Sequence, residues 1–189
     1  MSLKQKLLDN NYLVIGNFIT EEKARHLSDW LINEKTHNRL NQDVRFNIGI
    51  YADACRDAIP FVELLCEKIN YISDLLEEKV LPTYSYSIIY KNNSLLHRHK
   101  DRHACDISIS LHLGGDAKWD FGIKKPNGEE VKLNLNVGDA ILYLGCEAEH
   151  WREGLYQGKN YNQVMLHYVR SNGPNAWAFF DRTQKNYAT

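Results

Sequence analysis

The chain has 189 residues, 43% of them hydrophobic and 25% charged, with a formal net charge of −1. That length suffices for one domain with a real core, and the composition is that of a globular chain. The near-zero charge excludes a surface built throughout for nucleic acid, and four scattered cysteines (Cys55, Cys66, Cys105, Cys146) with no C-x-x-C pair exclude a zinc ribbon or a disulfide framework.

The opening MSLKQKLLDNNYLVIGNF lacks the apolar segment and small-residue cleavage site of a signal peptide, and no apolar run reaches bilayer length. A reduced, cytoplasmic protein without a membrane anchor is expected. YLVIGNF (12–18) reads as a short strand. Thr20 then offers an N-cap, with Glu21 and Glu22 placed on the helix dipole. Ala24, Leu27, Leu31 and Ile32 keep helical spacing to about residue 34. Residues 35–56 are polar and irregular, with a short strand at FNIGIY (46–51). From Ile59 onward, Val62, Leu65, Cys66, Ile69, Ile72 and Leu76 mark one longer helix, with Pro60 in its first turn and an end before Pro82.

Beyond Pro82 the apolar period changes from helical to two. YSYSIIY (84–90), DISISLHL (106–113) and the segments 119–124, 131–135 and 140–144 read as strands. The turns PNG (126–128) and NVGD (136–139) punctuate them. A last strand pair is expected at YNQVMLHYV (161–169) and AWAFF (176–180). Two helices followed by about eight strands predict an α+β, mainly β fold, with helices over about 1–80 packed on one sheet of a double-sheet β-sandwich or jelly roll over about 82–182.

The stretch HRHKDRHACD (97–106) concentrates metal-binding side chains. On an extended segment, side chains two apart share a side, so His97, His99 and Asp101 face one way and Arg98, Lys100 and Arg102 the other. His99-x-Asp101 is two thirds of the facial triad of non-haem Fe(II) oxygenases. The third ligand must come from a distant strand, and His150, after the apolar run AILYLG (140–145), is the candidate. A cupin-type reading through His97 and His99 stays open, whereas zinc fits less well because H-E-x-x-H and paired cysteines are missing. His103 reads as a loop residue, and His112 and His167 as core histidines.

These residues resemble the Fe(II)/2-oxoglutarate-dependent dioxygenases, most closely the prolyl 4-hydroxylase-like branch. The resemblance runs through NNYLVIGNFITEEKARHLSDWL, SIIYKNNSLLHRHKDRHACDISISLHLGG, LNVGDAILYLGCEAEHW and YNQVMLHYV. It implies a double-stranded β-helix (the jelly roll) holding Fe(II) on His99, Asp101 and His150. It also implies 2-oxoglutarate as cosubstrate, O2 as oxidant and ascorbate as a supporting reductant. The reaction implied is hydroxylation of a peptidyl residue or small molecule, coupled to decarboxylation of 2-oxoglutarate to succinate and CO2. Tyr90 maps to the tyrosine preceding the H-x-D motif, its hydroxyl directed at the cosubstrate.

One feature departs from the family, which usually places an Arg or Lys for the C5 carboxylate in the strand after the distal histidine. Lys159, assisted by Gln163, is the nearest match here, and Arg152 is the competing cation. Trp119 and Trp151 are candidates for the core or for the substrate mouth. Nucleic acid is the less favoured partner, a nucleic-acid-directed oxygenase and a non-catalytic jelly-roll module are the alternatives, and no oligomeric state is implied.

Overall fold

In a computed structural model, residues 1–45 and 49–182 are described. Among them lie α1 (Leu3–Asn10), β1 (Tyr12–Ile15), α2 (Glu21–Thr36), β2 (Asn41–Arg45), β3 (Ile50–Arg56), α3 (Ile59–Glu67), α4 (Ile69–Leu76) and β4 (Val80–Lys91). The second half holds β5 (Ile107–Gly115), β6 (Phe121–Lys124), β7 (Glu130–Leu133), β8 (Ala140–Leu144), β9 (His150–Arg152) and β10 (Asn160–Arg170). A seven-stranded sheet in the order β1-β8-β5-β10-β4-β3-β2 faces a three-stranded sheet β7-β6-β9, and all pairings are antiparallel. Helices cover one face of the large sheet and the small sheet covers the other. This is the jelly roll with helices on one sheet that the residue pattern predicts.

Alternation along the central strands divides their side chains between two interiors. Ile107, Ile109 and Leu111 of β5 and Val164 and Leu166 of β10 join Leu27, Leu31, Phe61 and Leu64 of the helices in one apolar cluster. The opposite residues, such as Tyr90 on β4, Gln163 and His167 on β10 and Tyr143 on β8, face the small sheet and line a cavity. Strands covered on both faces read as nearly continuous buried runs, as β8 does with all five residues buried.

Thr20 caps α2, its hydroxyl accepting from the Lys23 N–H at 3.1 Å. Pro60 sits in the first turn of α3. The single helix expected from Ile59 to Leu76 is instead two, because Lys68 closes α3 and opens α4 with ψ −4°. The apolar spacing carries through that break, so periodicity alone did not show it. Within 35–56, expected to be polar and irregular, β2 and β3 pair antiparallel and extend the sheet beyond β4. Of the strand expected at 46–51, residues 46–48 lie outside the described residues, and Ile50 and Tyr51 begin β3. The strand expected at AWAFF is a 3-10 turn, Ala176–Asp181, which packs Ala178 against Val169 and Ala104. Among the described residues no helix is long and apolar enough to cross a membrane.

Candidate active site

Backbone pairing brings the H-x-D segment to the distal histidine. His99 and His150 exchange both backbone hydrogen bonds, at 3.0 and 2.9 Å. The Asp101 N–H donates to the Gly145 carbonyl at 2.8 Å, which pins the segment to the turn after β8. His99 Nε2 and His150 Nε2 then lie 3.7 and 3.6 Å from Asp101 Oδ1. The three ligand atoms all fall within 4.8 Å of one another.

The other imidazole nitrogens fix the tautomers. His99 Nδ1 lies 2.8 Å from the His97 carbonyl, and His150 Nδ1 lies 3.0 Å from the Ala148 carbonyl. A carbonyl only accepts, so each Nδ1 carries the proton and each Nε2 offers a lone pair towards Asp101. Burial holds the His150 pKa below its ordinary value, with the Asp101 charge opposing. Its ring stands between Tyr143 at 4.6 Å and Phe121 at 5.6 Å. Two imidazoles and one carboxylate, each already oriented, suit a divalent first-row metal.

Gly145 closes the back of this cluster. A Cβ there would meet Asp101 Oδ2 at 2.6 Å and Ser108 Oγ at 2.8 Å, so the carboxylate occupies the space of the missing side chain. Ser108, unremarked in the sequence, lies 2.9 Å from Asp101 Oδ2 and 2.9 Å from His167 Nδ1. His167 is therefore a partnered histidine on the cavity wall, its pKa lowered to about 4 by burial. Asp101, His167 and Cys105 form a second group of ligand-type atoms. There burial pushes the Cys105 thiol up to about 12, and its sulfur meets the Tyr84 hydroxyl at 3.1 Å, so it serves as a hydrogen-bonding group.

The cavity in front of the triad has a volume of about 370 Å³, at the small end of the range for ligand sites. One wall leads from His150 to Gln163, where Arg152 lies 2% exposed. Arg152 Nη1 donates to the Trp119 carbonyl at 2.7 Å and to the Tyr161 hydroxyl at 3.1 Å, and Nη2 donates to Gln163 Oε1. Its Nε, also buried, has no acceptor, and neither do Ser110 Oγ or His112 Nδ1. Burial first, and then the Arg152 charge, lower the His112 pKa to about 4. A buried cation with an unused donor is a receptor for a carboxylate.

Lys159 is elsewhere. It is exposed, and its backbone N–H donates to the Asp116 carboxylate at 2.9 Å in the turn before β10. The shared parity with Gln163 fails because strand pairing starts only at Asn160. Tyr90 lines the cavity with its ring edge-on to Trp119 at 5.1 Å.

The alternation expected along 97–102 also holds only in part, because this segment is a loop anchored by one bridge rather than a strand. Arg98 does face out, paired with Glu130 at 2.6 Å and lying 3.5 Å over the Trp151 ring. Arg102 instead lines the cavity, where it and Arg56 share the Asp181 carboxylate at 2.5 Å each. His97 is exposed and contributes its carbonyl, and the His103 ring lies tilted beside Trp177 with centroids 6.1 Å apart. Trp119 belongs to the apolar cluster with Tyr90 and Tyr161, so neither tryptophan lines the cavity.

The jelly roll is a fold shared with solved structures of prolyl hydroxylases and of a non-heme alpha ketoglutarate dependent epimerase. No known family profile and no curated protein matches the sequence. Among solved structures, a prolyl-4-hydroxylase from Pseudomonas putida is similar over 89% of this chain and 97% of its own, with TM-score 0.71 and 13% identity. The epimerase SnoN from nogalamycin biosynthesis, in complex with Fe3+, alpha ketoglutarate and nogalamycin RO, is similar over 99% and 91%, with TM-score 0.76 and 10% identity. A Trichoplax adhaerens prolyl hydroxylase, in complex with a hypoxia inducible factor peptide fragment, covers 88% and 87%, with TM-score 0.67 and 13% identity. At such identities the likeness is one of fold.

Proposed function

We propose that the chain is an Fe(II)- and 2-oxoglutarate-dependent dioxygenase that hydroxylates a peptidyl residue or a small molecule. The observation that carries this reading is the convergence of His99, Asp101 and His150 on a cavity whose wall includes Gln163, the side chain that accepts from the buried Arg152 guanidinium behind it. Bound together, the iron and 2-oxoglutarate supply the oxidising chemistry that activates O2 and attacks a C–H bond, with release of succinate and CO2.

The chain's own residues hold and orient. His99, Asp101 and His150 would take one face of the iron. Arg152 would bind the C5 carboxylate of 2-oxoglutarate through Nε, with Gln163 and the Tyr161 hydroxyl holding its guanidinium plane. Tyr90, Phe121 and Met165 would exclude water from the cosubstrate. The substrate would enter on the side of Tyr84, Arg56 and Arg102.

A nucleic-acid substrate gains no support from the arginines of the H-x-D loop, since Arg98 and Arg102 are both paired with carboxylates. Purified protein supplied with Fe(II), ascorbate and 2-oxoglutarate is expected to release succinate even without substrate, and H99A, D101A and H150A to lose it together with metal retention. Wild-type protein that holds iron yet neither binds 2-oxoglutarate nor forms succinate sinks the reading.

A further inference from the structure

Three groups compete for one hydroxyl in the wall behind the triad. Ser108 Oγ lies 2.9 Å from Asp101 Oδ2, 2.9 Å from His167 Nδ1 and 3.3 Å from the Cys105 carbonyl. A serine hydroxyl has a single proton and two lone pairs. An ionised carboxylate can only accept, and a charge-assisted bond is about twice as strong as a neutral one. The proton of Ser108 therefore goes to Asp101, not to the more distant carbonyl. Its lone pairs are left to accept from His167, whose proton must then sit on Nδ1.

The other end of His167 follows from that assignment. With Nδ1 protonated, the neutral ring carries its lone pair on Nε2. His167 lines the cavity, and among the described residues no hydrogen bond reaches Nε2. The ring is kept from rotating by Tyr84, tilted against it at 4.5 Å. An acceptor of fixed direction thus faces the cavity next to the triad, on the substrate side.

We propose that Ser108 and His167 form a positioning relay for Asp101, running from His167 Nδ1–H to Ser108 Oγ and from Ser108 O–H to Asp101 Oδ2. The relay ties Oδ2 to Ser108 and leaves Oδ1, which faces His99 and His150, as the oxygen that would hold the metal. The same relay leaves His167 Nε2 as the acceptor on the cavity wall. This rests on the metal-site reading above, but concerns residues outside the triad.

The test uses the full chain with Zn(II) alone, without 2-oxoglutarate. Calorimetry is expected to show Zn(II) bound by wild type and bound about 10- to 100-fold more weakly by Ser108→Ala, the usual effect of losing a partner to a ligand. Ser108→Thr keeps the hydroxyl and is expected to restore affinity to within about threefold. Histidine 15N NMR of the wild type is expected to show His167 as the Nδ1–H tautomer, a signature that mere packing does not require. An unchanged Zn(II) affinity in folded Ser108→Ala overturns the relay, as does a His167 proton on Nε2, which can be read even if the variant fails to fold. A wild type that binds no divalent metal removes the metal-site reading and the relay with it. One that binds Zn(II) with the expected Ser108 dependence, yet never turns over 2-oxoglutarate, leaves the relay standing and removes only the dioxygenase.

Discussion

Replacing Arg152 separates the two cations between which the sequence could not choose. In Arg152→Met the stem volume is nearly kept while the guanidinium is lost. A hydrogen bond to a charged group contributes about 1.5–3 kcal/mol, so losing the buried contact to the C5 carboxylate costs about 3 kcal/mol. That corresponds to roughly a hundredfold rise in the 2-oxoglutarate Kd. The fold pays as well, because the Trp119 carbonyl and Gln163 Oε1 lose their donor in a buried place. Each such loss costs about 1–3 kcal/mol. The melting temperature of the variant is therefore measured first, and assays are run well below it. The 2-oxoglutarate dependence of succinate release, and calorimetric binding of 2-oxoglutarate to Zn(II)-loaded protein, then give the effect. Arg152→Lys keeps the charge and is expected to recover part of the loss, while Lys159→Met, at an exposed turn position, is expected to change the KM less than twofold. A normal KM in folded Arg152→Met, with a raised one in Lys159→Met, would falsify the assignment.

Three further outcomes follow from the same geometry. Gly145→Ala drives a Cβ to within 2.6 Å of Asp101 Oδ2 and 2.2 Å of the Cys105 carbonyl, so metal retention after dialysis is expected to be lost with only a partial fall in melting temperature. Gly122→Ala places a Cβ 2.1 Å from the Trp151 ring, and since Gly122 pairs with Trp151 across β6 and β9, thermal melting is expected to fall by several degrees, on the order of 1–3 kcal/mol. Acid is expected to weaken the fold through His112, whose folded pKa of about 4 lies below its ordinary 6.5. The unfolded chain then binds the proton more readily, so stability is complete above pH 6.5 and falls towards pH 4 by at most about 3 kcal/mol. Denaturant melts at pH 7 and 4.5 measure this, and His112→Asn, which cannot titrate, is expected to reduce the difference by the His112 share, leaving that of His150 and His167, which burial also holds low.

The sequence alone determined a double-layered β fold and the pairing of two candidate ligands, because both follow from local repetition. Period-two alternation from residue 84 onward marks the strands, and His99-x-Asp101 places two ligands on one side whatever the rest of the chain does. His150 was legible because it follows a buried strand closely enough to sit at its end. What lay beyond reach of local rules was everything set by pairing between distant segments. Arg152 lies two residues from His150, and nothing in that spacing tells that its guanidinium ends between the Trp119 carbonyl, Tyr161 and Gln163. Lys159 misled for the converse reason, since its apparent strand parity ends one residue before the strand begins. Arg102 turned inward because the loop carrying it is bent by its anchors at His150 and Gly145, which alternation cannot foresee. Ser108 and His167 are 59 residues apart, and only the register of β5 on β10 sets them across from each other. Local periodicity specifies which face a side chain takes, while the cost of burying an unpartnered charge or hydroxyl decides which distant group it meets.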